Sequence, residues 1–314
     1  MHPNWAFPDS SYRSSAHSSR VIKNKPFRGP SLMRSRYVPV VSMTQDGSSP
    51  ESKSLDAGLF TTRDNWPQIQ LNGVVLRFAS NWDLIGVVES YVLNVYGCDR
   101  LQPGSNVLDV GAGIGDFSIL ASRKVGPRGR VIAIEPNPED YAVLIRNLEV
   151  NGCGNVTPLN LALARSQGIE MLEFKGRKFR ARTTTLANAL KEAGVDEVDF
   201  IKMDIEGFEA MVVPSSLDVL GRARFIAIEL HGDQEMAVQA LSKEGFSFSP
   251  VDTPLLTSRL VLFAIAHPIV ILRIYSRVRH YPPYSPSGLL RRAFKGPSIA
   301  QRGKLLVGVF GRIS

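Results

Sequence analysis

The run VLDVGAGIGDF at residues 107–117 constrains this chain more than any other feature. A nearly all-apolar segment of the kind that fits a strand covered on both faces passes directly into Gly111, Gly113 and Gly115, and from there into the start of a helix. Glycines in this position let the main chain turn sharply and leave no Cβ between the backbone and a molecule lying on it. Strand, turn and helix together call for an open α/β sheet with a ligand beyond the carboxyl ends of its strands.

The rest of the middle of the chain fits such a sheet. Apolar runs at 106–111, 130–136, 156–163, 198–205 and 224–231 read as strands and alternate with amphipathic stretches, which is the pattern of a doubly wound, mostly parallel sheet. The clearest helix lies between the second and third runs. Asn137 suits its cap, Pro138 its first turn, Glu139 and Asp140 its positive end, and Asn151-Gly152 its close. A helix at 234–244 follows the fifth run, and 246–252 and 258–266 read as two further strands. Ahead of the first run, 68–78 reads as a hairpin about Asn72-Gly73, and 83–96 as a helix carrying Ile85, Val88, Val92 and Val95. This addition is placed to roof the site.

The ligand class follows from two acids. Glu135 closes the second strand, where a carboxylate accepts hydrogen bonds from both hydroxyls of a ribose. Asp116 stands at the helix start where a dinucleotide fingerprint has its third glycine, and it would repel a pyrophosphate seated on the helix end. No G-K-[ST] ending follows the glycines, which disfavours a nucleoside triphosphate. S-adenosylmethionine (SAM) carries a ribose without phosphate, and its sulfonium and ammonium groups welcome acids such as Asp109. The expected cofactor-binding set is Asp109, Gly111, Ala112, Gly113, Gly115, Phe117, Glu135 and Asn137.

VLDVGAGIGDF, VIAIEPNPE (131–139), DFIKMDIEGFE (199–209) and FIAIELHG (225–232) resemble, in order, the motifs of the FkbM family of SAM-dependent methyltransferases. The likeness covers roughly residues 100–265, and the K-x-D-x-E-G-x-E string is its family-specific part. What the resemblance implies is a seven-stranded, Rossmann-like class I methyltransferase sheet ending in an antiparallel hairpin. It also implies O-methylation of a hydroxyl on a sugar, glycolipid or other small-molecule acceptor.

On the acceptor side, period two places Lys202, Asp204 and Glu206 on one side of the fourth strand, and Glu229 and His231 share a face at the end of the fifth. Lys202 is counted with the catalytic group, and as a lysine in a doubly covered strand it needs an acid, with Asp204 or a neighbour expected to supply it. His231, with an ordinary pKa near neutrality, is the first candidate for general base. Asp204 is the second, as base or as the group that orients the acceptor. Glu206 and Glu229 are read as acceptor-binding, while Glu209 fits the start of the next helix better. A divalent ion on Asp204, Glu229 and His231 would suit the donor chemistry, but no metal is predicted. The basic stretch KGRKFRAR (175–182) reads as a loop that would favour an anionic acceptor if it reached the pocket.

Charge is uneven along the 314 residues: +5 over residues 1–50, −6 over 51–264 and +9 over 265–314. The body is therefore mildly acidic, and its basic ends do not make the chain a nucleic-acid-binding domain. The expected layout is a disordered basic leader (1–60), a hairpin and helix cap (61–104), the methyltransferase domain (105–266) and a basic C-terminal tail (267–314). The leader, Arg- and Ser-rich, also resembles an organelle transit peptide, with Met33 or Met43 as alternative starts. The tail's arginines and tyrosines fit an anionic membrane face and, less well, nucleic acid. Cys98 and Cys153 have no disulfide or zinc spacing and fit a reducing compartment, so the expected location is cytoplasmic, with peripheral membrane association through the tail. Two rival readings stand beside the enzyme: an inactive methyltransferase-like body that binds nucleic acid or membranes through its tails, and a nicotinamide-dependent oxidoreductase, which lacks an evident Tyr-x-x-x-Lys pair.

Overall fold

The computed structural model describes residues 61–63, 66–71, 73–174, 176–231, 234–250 and 305–312. A small antiparallel sheet comes first, from β1 (Thr61–Arg63), β2 (Trp66–Leu71) and β3 (Val74–Arg77). It leads into α1 (Asp83–Val87), which runs on as a π-helical stretch over Val88–Leu93. Asn94, in the left-handed region at φ 51°, ends that stretch short of the expected residue 96. Then come β4 (Asn106–Val110), α2 (Asp116–Val125), β5 (Arg130–Ile134), α3 (Pro138–Val150) and β6 (Val156–Leu159). A second small sheet follows, from β7 (Ala162–Leu163), β8 (Gly168–Phe174) and β9 (Arg177–Thr184). The chain continues through α4 (Leu186–Ala193), β10 (Phe200–Met203), α5 (Glu209–Val212), α6 (Leu217–Leu220), β11 (Phe225–His231), α7 (Gln234–Lys243), β12 (Phe246–Pro250) and β13 (Leu305–Arg312).

The main sheet has seven strands in the order β12-β13-β11-β10-β4-β5-β6. The five from β11 to β6 are parallel, and β13 runs antiparallel to both β11 and β12. This is the doubly wound, mostly parallel sheet with an antiparallel end that the sequence predicts. From β4 the chain winds outward through β5 and β6, then returns to β10 on the other side. The connections leaving β4 and β10 therefore part company, and their divergence opens a crevice at the strand ends.

Alternation along the strands sorts the core onto two faces. Val107, Val131, Phe200 and Ala227 pack with α2, α3 and the N-terminal hairpin, whereas Leu108, Ile132, Ile201 and Ile226 pack with α4, α6 and α7. Phe117 stacks on Phe200 at 6.1 Å between ring centroids and meets Tyr96 edge-on at 5.7 Å, so the start of α2 is anchored to the sheet and to the cap.

Two expectations change. The basic run at 175–182 is not an open loop: its residues turn at Gly176 and form most of β9, paired residue for residue with β8 from Gly168↔Thr183 to Phe174↔Arg177. The strand beside β11 and β12 is 305–312, the place given above to 258–266, so the stretch 267–314 includes a strand of the main sheet. Alternation alone picks the next apolar run in sequence and cannot see a partner so far along the chain. Residues 251–304, and with them the 258–266 strand and most of the proposed tail, lie outside the described residues, as does the leader before residue 61. Among the described residues no helix is long and apolar enough to cross a membrane.

Candidate active site

A cavity of about 550 Å³ opens at the diverging ends of β4 and β10, and its wall includes residues from the glycine turn, the cap, β5, the β8–β9 hairpin and the ends of β10 and β11. The glycine turn is built from the backbone outward. Gly111 and Ala112 both donate their N–H to the Ile134 carbonyl, at 3.0 and 2.9 Å. Gly111 has φ +78°, and a Cβ there would sit 1.8 Å from the Asp204 carbonyl oxygen. Gly115, the residue before α2, has φ +86°, and its Cβ would meet Leu144 Cδ1 at 2.4 Å. Gly113 differs: it lines the cavity with φ +52°, and its Cβ would touch no protein atom within 4 Å. Two glycines thus serve close packing, and the middle one leaves the cradle open.

Glu135 is buried against this turn. Its Oε2 accepts from Gly113 N–H and its Oε1 from Asn137 N–H, both at 2.8 Å. Burial pushes the carboxyl up to about 7, against those two hydrogen bonds, which pull it down. Asn137 caps α3 by accepting from Glu139 N–H at 3.0 Å and donates to Asp140 Oδ2, also at 3.0 Å. Asp140, read in the sequence only for the positive end of its helix, lines the cavity with Glu135. Asp116 lines it too; Ser90 Oγ donates to its Oδ2 at 2.5 Å, and burial lifts it to about 6. A buried acid, a glycine cradle without side-chain cover and free lone pairs on Glu135 fit a ribose laid along the turn.

Asp109 goes elsewhere. It faces away from the cavity, accepts from Ser118 Oγ at 2.6 Å and lies 3.4 Å from Lys202 Nζ, its register partner on β10. Lys202 is buried as expected and finds its acids. Nζ donates to the Gly111 carbonyl at 2.6 Å and lies 4.0 Å from Asp204 Oδ2. Burial lowers its pKa, but Asp109, Asp204, Asp116 and Glu229 outweigh that and hold it above the usual lysine range. Phe117 lines the cavity from within the core.

Asp204, Glu206, Glu229 and His231 converge at the other end. Tyr96, from the cap, donates to Asp204 Oδ2 at 3.2 Å and lies 3.4 Å from Glu229 Oε2. Asp204 Oδ1 is buried and has no hydrogen-bond partner among the described residues. Glu229 is raised well above the carboxylate range by burial and by Asp204 and Glu89. Nε2 of His231 lies 3.5 Å from Glu206 Oε2 and 3.6 Å from Glu229 Oε1, and Nδ1 lies 3.2 Å from Glu209 Oε1. Burial works against the imidazolium, but the bond to Glu209 and the charges of Glu209, Asp204 and Glu229 prevail and lift His231 to about 9.

Glu209 explains the geometry of the motif. Only 1% exposed, it accepts from Ile205 N–H at 3.0 Å and Gly207 N–H at 2.9 Å, clamping a turn in which Glu206 sits at φ 54° and Gly207 at φ 104°. A left-handed glutamate costs about 1–2 kcal/mol and persists because its surroundings fix it. Asp204, Glu209 and His231 each bring a donor atom within 4.8 Å of the others. Of the three, Glu209 is already committed to two amides and the imidazole. Tyr96 carried no signal in the sequence, because it follows an apolar helical stripe and reads as core.

Strand order, the glycine turn and a buried acid just past the second parallel strand are the features of a Rossmann-like, class I methyltransferase sheet. Residues 109–248 match the family described as Methyltransferase FkbM domain. Over 137 residues the chain is 28% identical to the hexuronic acid methyltransferase AglP of Haloferax volcanii (strain ATCC 29605), an alignment covering 39% of this chain and 54% of that one. Over 81 residues it is 36% identical to the methyltransferase sdnD of Sordaria araneosa, covering 26% and 31%. The chain thus spans about half the length of the first relative and a third of the second. It also aligns with the precorrin-6y C5,15-methyltransferase of Geobacter metallireducens GS-15, at 21% identity, 55% and 80% coverage and a TM-score of 0.37, too slight a likeness to decide anything. Residues 109–248 are thus similar to the FkbM methyltransferases, and this similarity supports SAM as the cofactor.

Proposed function

We propose that the protein transfers a methyl group from SAM to a hydroxyl oxygen of a sugar, a glycolipid or another small-molecule acceptor. The observation that carries this is one continuous cavity whose wall holds both the Gly113–Glu135 cradle and the group of Tyr96, Asp204, Glu229 and His231. The relative named as a hexuronic acid methyltransferase supports a carbohydrate acceptor. SAM, when bound, supplies an electrophilic methyl carbon. Glu135 takes the ribose hydroxyls, and Gly111, Ala112 and Gly113 present bare backbone to the rest of the cofactor.

Asp204 is the residue aimed at the acceptor. Its side chain lines the cavity with Oδ2 bonded to Tyr96, and that carboxylate oxygen has a further lone pair for an acceptor O–H. Asp204 takes that hydrogen bond first and the proton as the new O–C bond forms; the methyl–sulfur bond would break in the same step, leaving neutral S-adenosylhomocysteine, and the alignment of the two reactants contributes much of the rate. His231 holds its own proton below about pH 9. In this proposal it therefore fixes the acids around the acceptor, and the base role falls to Asp204.

The test is transfer from methyl-labelled SAM to a panel of sugars and glycolipids, with the labelled atom located by NMR. Label on oxygen, abolished in Asp204→Asn while SAM is still bound, supports the reading. Label on nitrogen or carbon, or a fully active Asp204→Asn, sinks it.

A further inference from the structure

Tyr96 reaches the site from outside the matched residues 109–248, and several contacts aim it. It follows the π-helical stretch in a short turn where Asn94 (φ 51°) and Gly97 (φ 65°) are both left-handed. Asn94 Oδ1 accepts from Cys98 N–H at 2.7 Å, so the turn is closed by a side chain of the kind that tolerates that backbone. The ring is fixed as well. It meets Phe117 edge-on, and Lys202 Nζ lies 5.3 Å from its centroid. A phenylalanine would serve this packing equally, so packing does not account for the hydroxyl. Tyr96 is buried on the cavity wall, and that hydroxyl lies 3.2 Å from Asp204 Oδ2 and 3.4 Å from Glu229 Oε2.

One O–H proton serves one of those two acids at a time. Burial, Asp204 and Glu89 push the Glu229 carboxyl far above the carboxylate range, against His231 and Lys202, so it keeps a proton of its own. Burial and the charges of Asp204, Glu89, Glu229 and Asp116 keep the Tyr96 phenol protonated too. Glu229 therefore gives its proton to the Tyr96 oxygen, and the Tyr96 proton turns to Asp204. Lys202 Nζ, 4.0 Å from Asp204 Oδ2, is beyond hydrogen-bond reach of it. Among the described residues the hydrogen bond that reaches this carboxylate is the one from Tyr96. A donor of this kind favours the ionised form of its acceptor and fixes its direction. We infer that Tyr96 is a positioning residue for the methyl transfer, its hydroxyl holding Asp204 ionised and turned to receive the acceptor proton, so that the cap completes the active site. This rests on the role proposed above for Asp204.

The experiment uses the full chain in two arms. The first takes an acceptor that gains label and compares the wild type, Tyr96→Phe and a protein with meta-fluorotyrosine in place of Tyr96. Tyr96→Phe keeps the ring and loses the hydroxyl, so kcat is expected to fall about 10- to 100-fold, the equivalent of one hydrogen bond to a charged group, with SAM affinity in calorimetry nearly unchanged. The acid limb of its pH–rate profile is expected to move up by about one pH unit, because the carboxylate has lost its donor, and the fluorotyrosine is expected to keep most of the wild-type rate. A wild-type kcat in Tyr96→Phe overturns the inference, and so does a slower rate with the acid limb unmoved, which is what a tyrosine needed only for packing would give. The second arm needs no acceptor. It reads the fluorine NMR line of the labelled residue with Asp204 intact and in Asp204→Asn: a displaced line supports the bond, and an unmoved line overturns it. If no acceptor gains label while the line is displaced, the acceptor proposed above fails and the pairing of Tyr96 with Asp204 is upheld.

Discussion

Glu135 is held in place before any ligand arrives, because two backbone amides converge on its carboxylate. Glu135→Ala removes the ribose acceptor and orphans the Gly113 and Asn137 amides, so SAM affinity is expected to fall about 10- to 100-fold, the equivalent of one or two charge-assisted hydrogen bonds. Titration calorimetry on the folded variant measures this, and unchanged affinity would move the ribose elsewhere. The glycines give a paired prediction. Gly111→Ala sets a Cβ against the Asp204 carbonyl, backbone against backbone, and the variant is expected not to fold. Gly113→Ala meets no protein atom, so it should fold with a cost of about 1 kcal/mol for its positive φ but bind SAM poorly, because the methyl group enters the cradle. Thermal melts with and without SAM separate the two. The glycines and Glu135 were legible in the sequence because strand, turn and acid recur at fixed places. Asp109 was not: both faces of β4 are apolar, so an acid in that strand gives no sign of which way it points, and register with Lys202 turned it toward Ser118.

At the level of elements, the N-terminal hairpin is fastened to α3 by two asparagine side chains. Asn147 accepts from Arg77 N–H at 2.8 Å and donates to the Arg77 and Ile114 carbonyls, at 3.0 and 2.9 Å, while Asn151 accepts from and donates to Val75. The side-chain amides pair with β3 as a neighbouring strand would. Asn147, fully buried, also ties the hairpin to the glycine turn through Ile114. Asn147→Ala leaves these buried groups without partners, at about 1–3 kcal/mol for each, so a loss of about 2–4 kcal/mol in urea unfolding is expected. A loss below 1 kcal/mol would mean that the hairpin is held by apolar packing alone. In the sequence Asn151-Gly152 reads only as a helix stop, since propensity cannot show that a capping residue has a second partner. The β8–β9 hairpin is the reverse case. Phe179, Ala181 and Thr183 alternate with Lys178, Arg180 and Arg182, a strand pattern that was present but masked when the run was read for its charge. The 305–312 strand lay beyond any local signal, because its partners are β11 and β12 and its place follows from closure of the sheet.

Across the whole molecule the surplus of buried acid makes stability depend on pH in one direction. Asp116 is raised to about 6, Glu135 to about 7, and Glu229 higher still. A carboxyl whose folded pKa lies above its unfolded one favours the folded state while protonated, so its contribution is complete below the unfolded value and is lost as pH rises through the folded one. His231, raised to about 9, has the same sign: its contribution is present below its ordinary value and is lost as pH climbs through 9. Acids with the opposite behaviour, such as Glu192, which Arg182 lowers, lose their contribution only as the solution turns acidic. The cofactor-free protein should therefore be most stable between about pH 5 and 6 and lose several degrees of melting temperature by pH 9. Bound SAM reverses part of this loss, because its positive charge favours the ionised acids and Glu135 accepts ribose hydroxyls best as a carboxylate. The rise in melting temperature at saturating SAM should accordingly grow from pH 6 to pH 8. Melting curves over a buffer series decide the matter: a cofactor-free optimum near pH 8, or a SAM increment that shrinks with rising pH, would mean that these acids are not gathered around the cofactor.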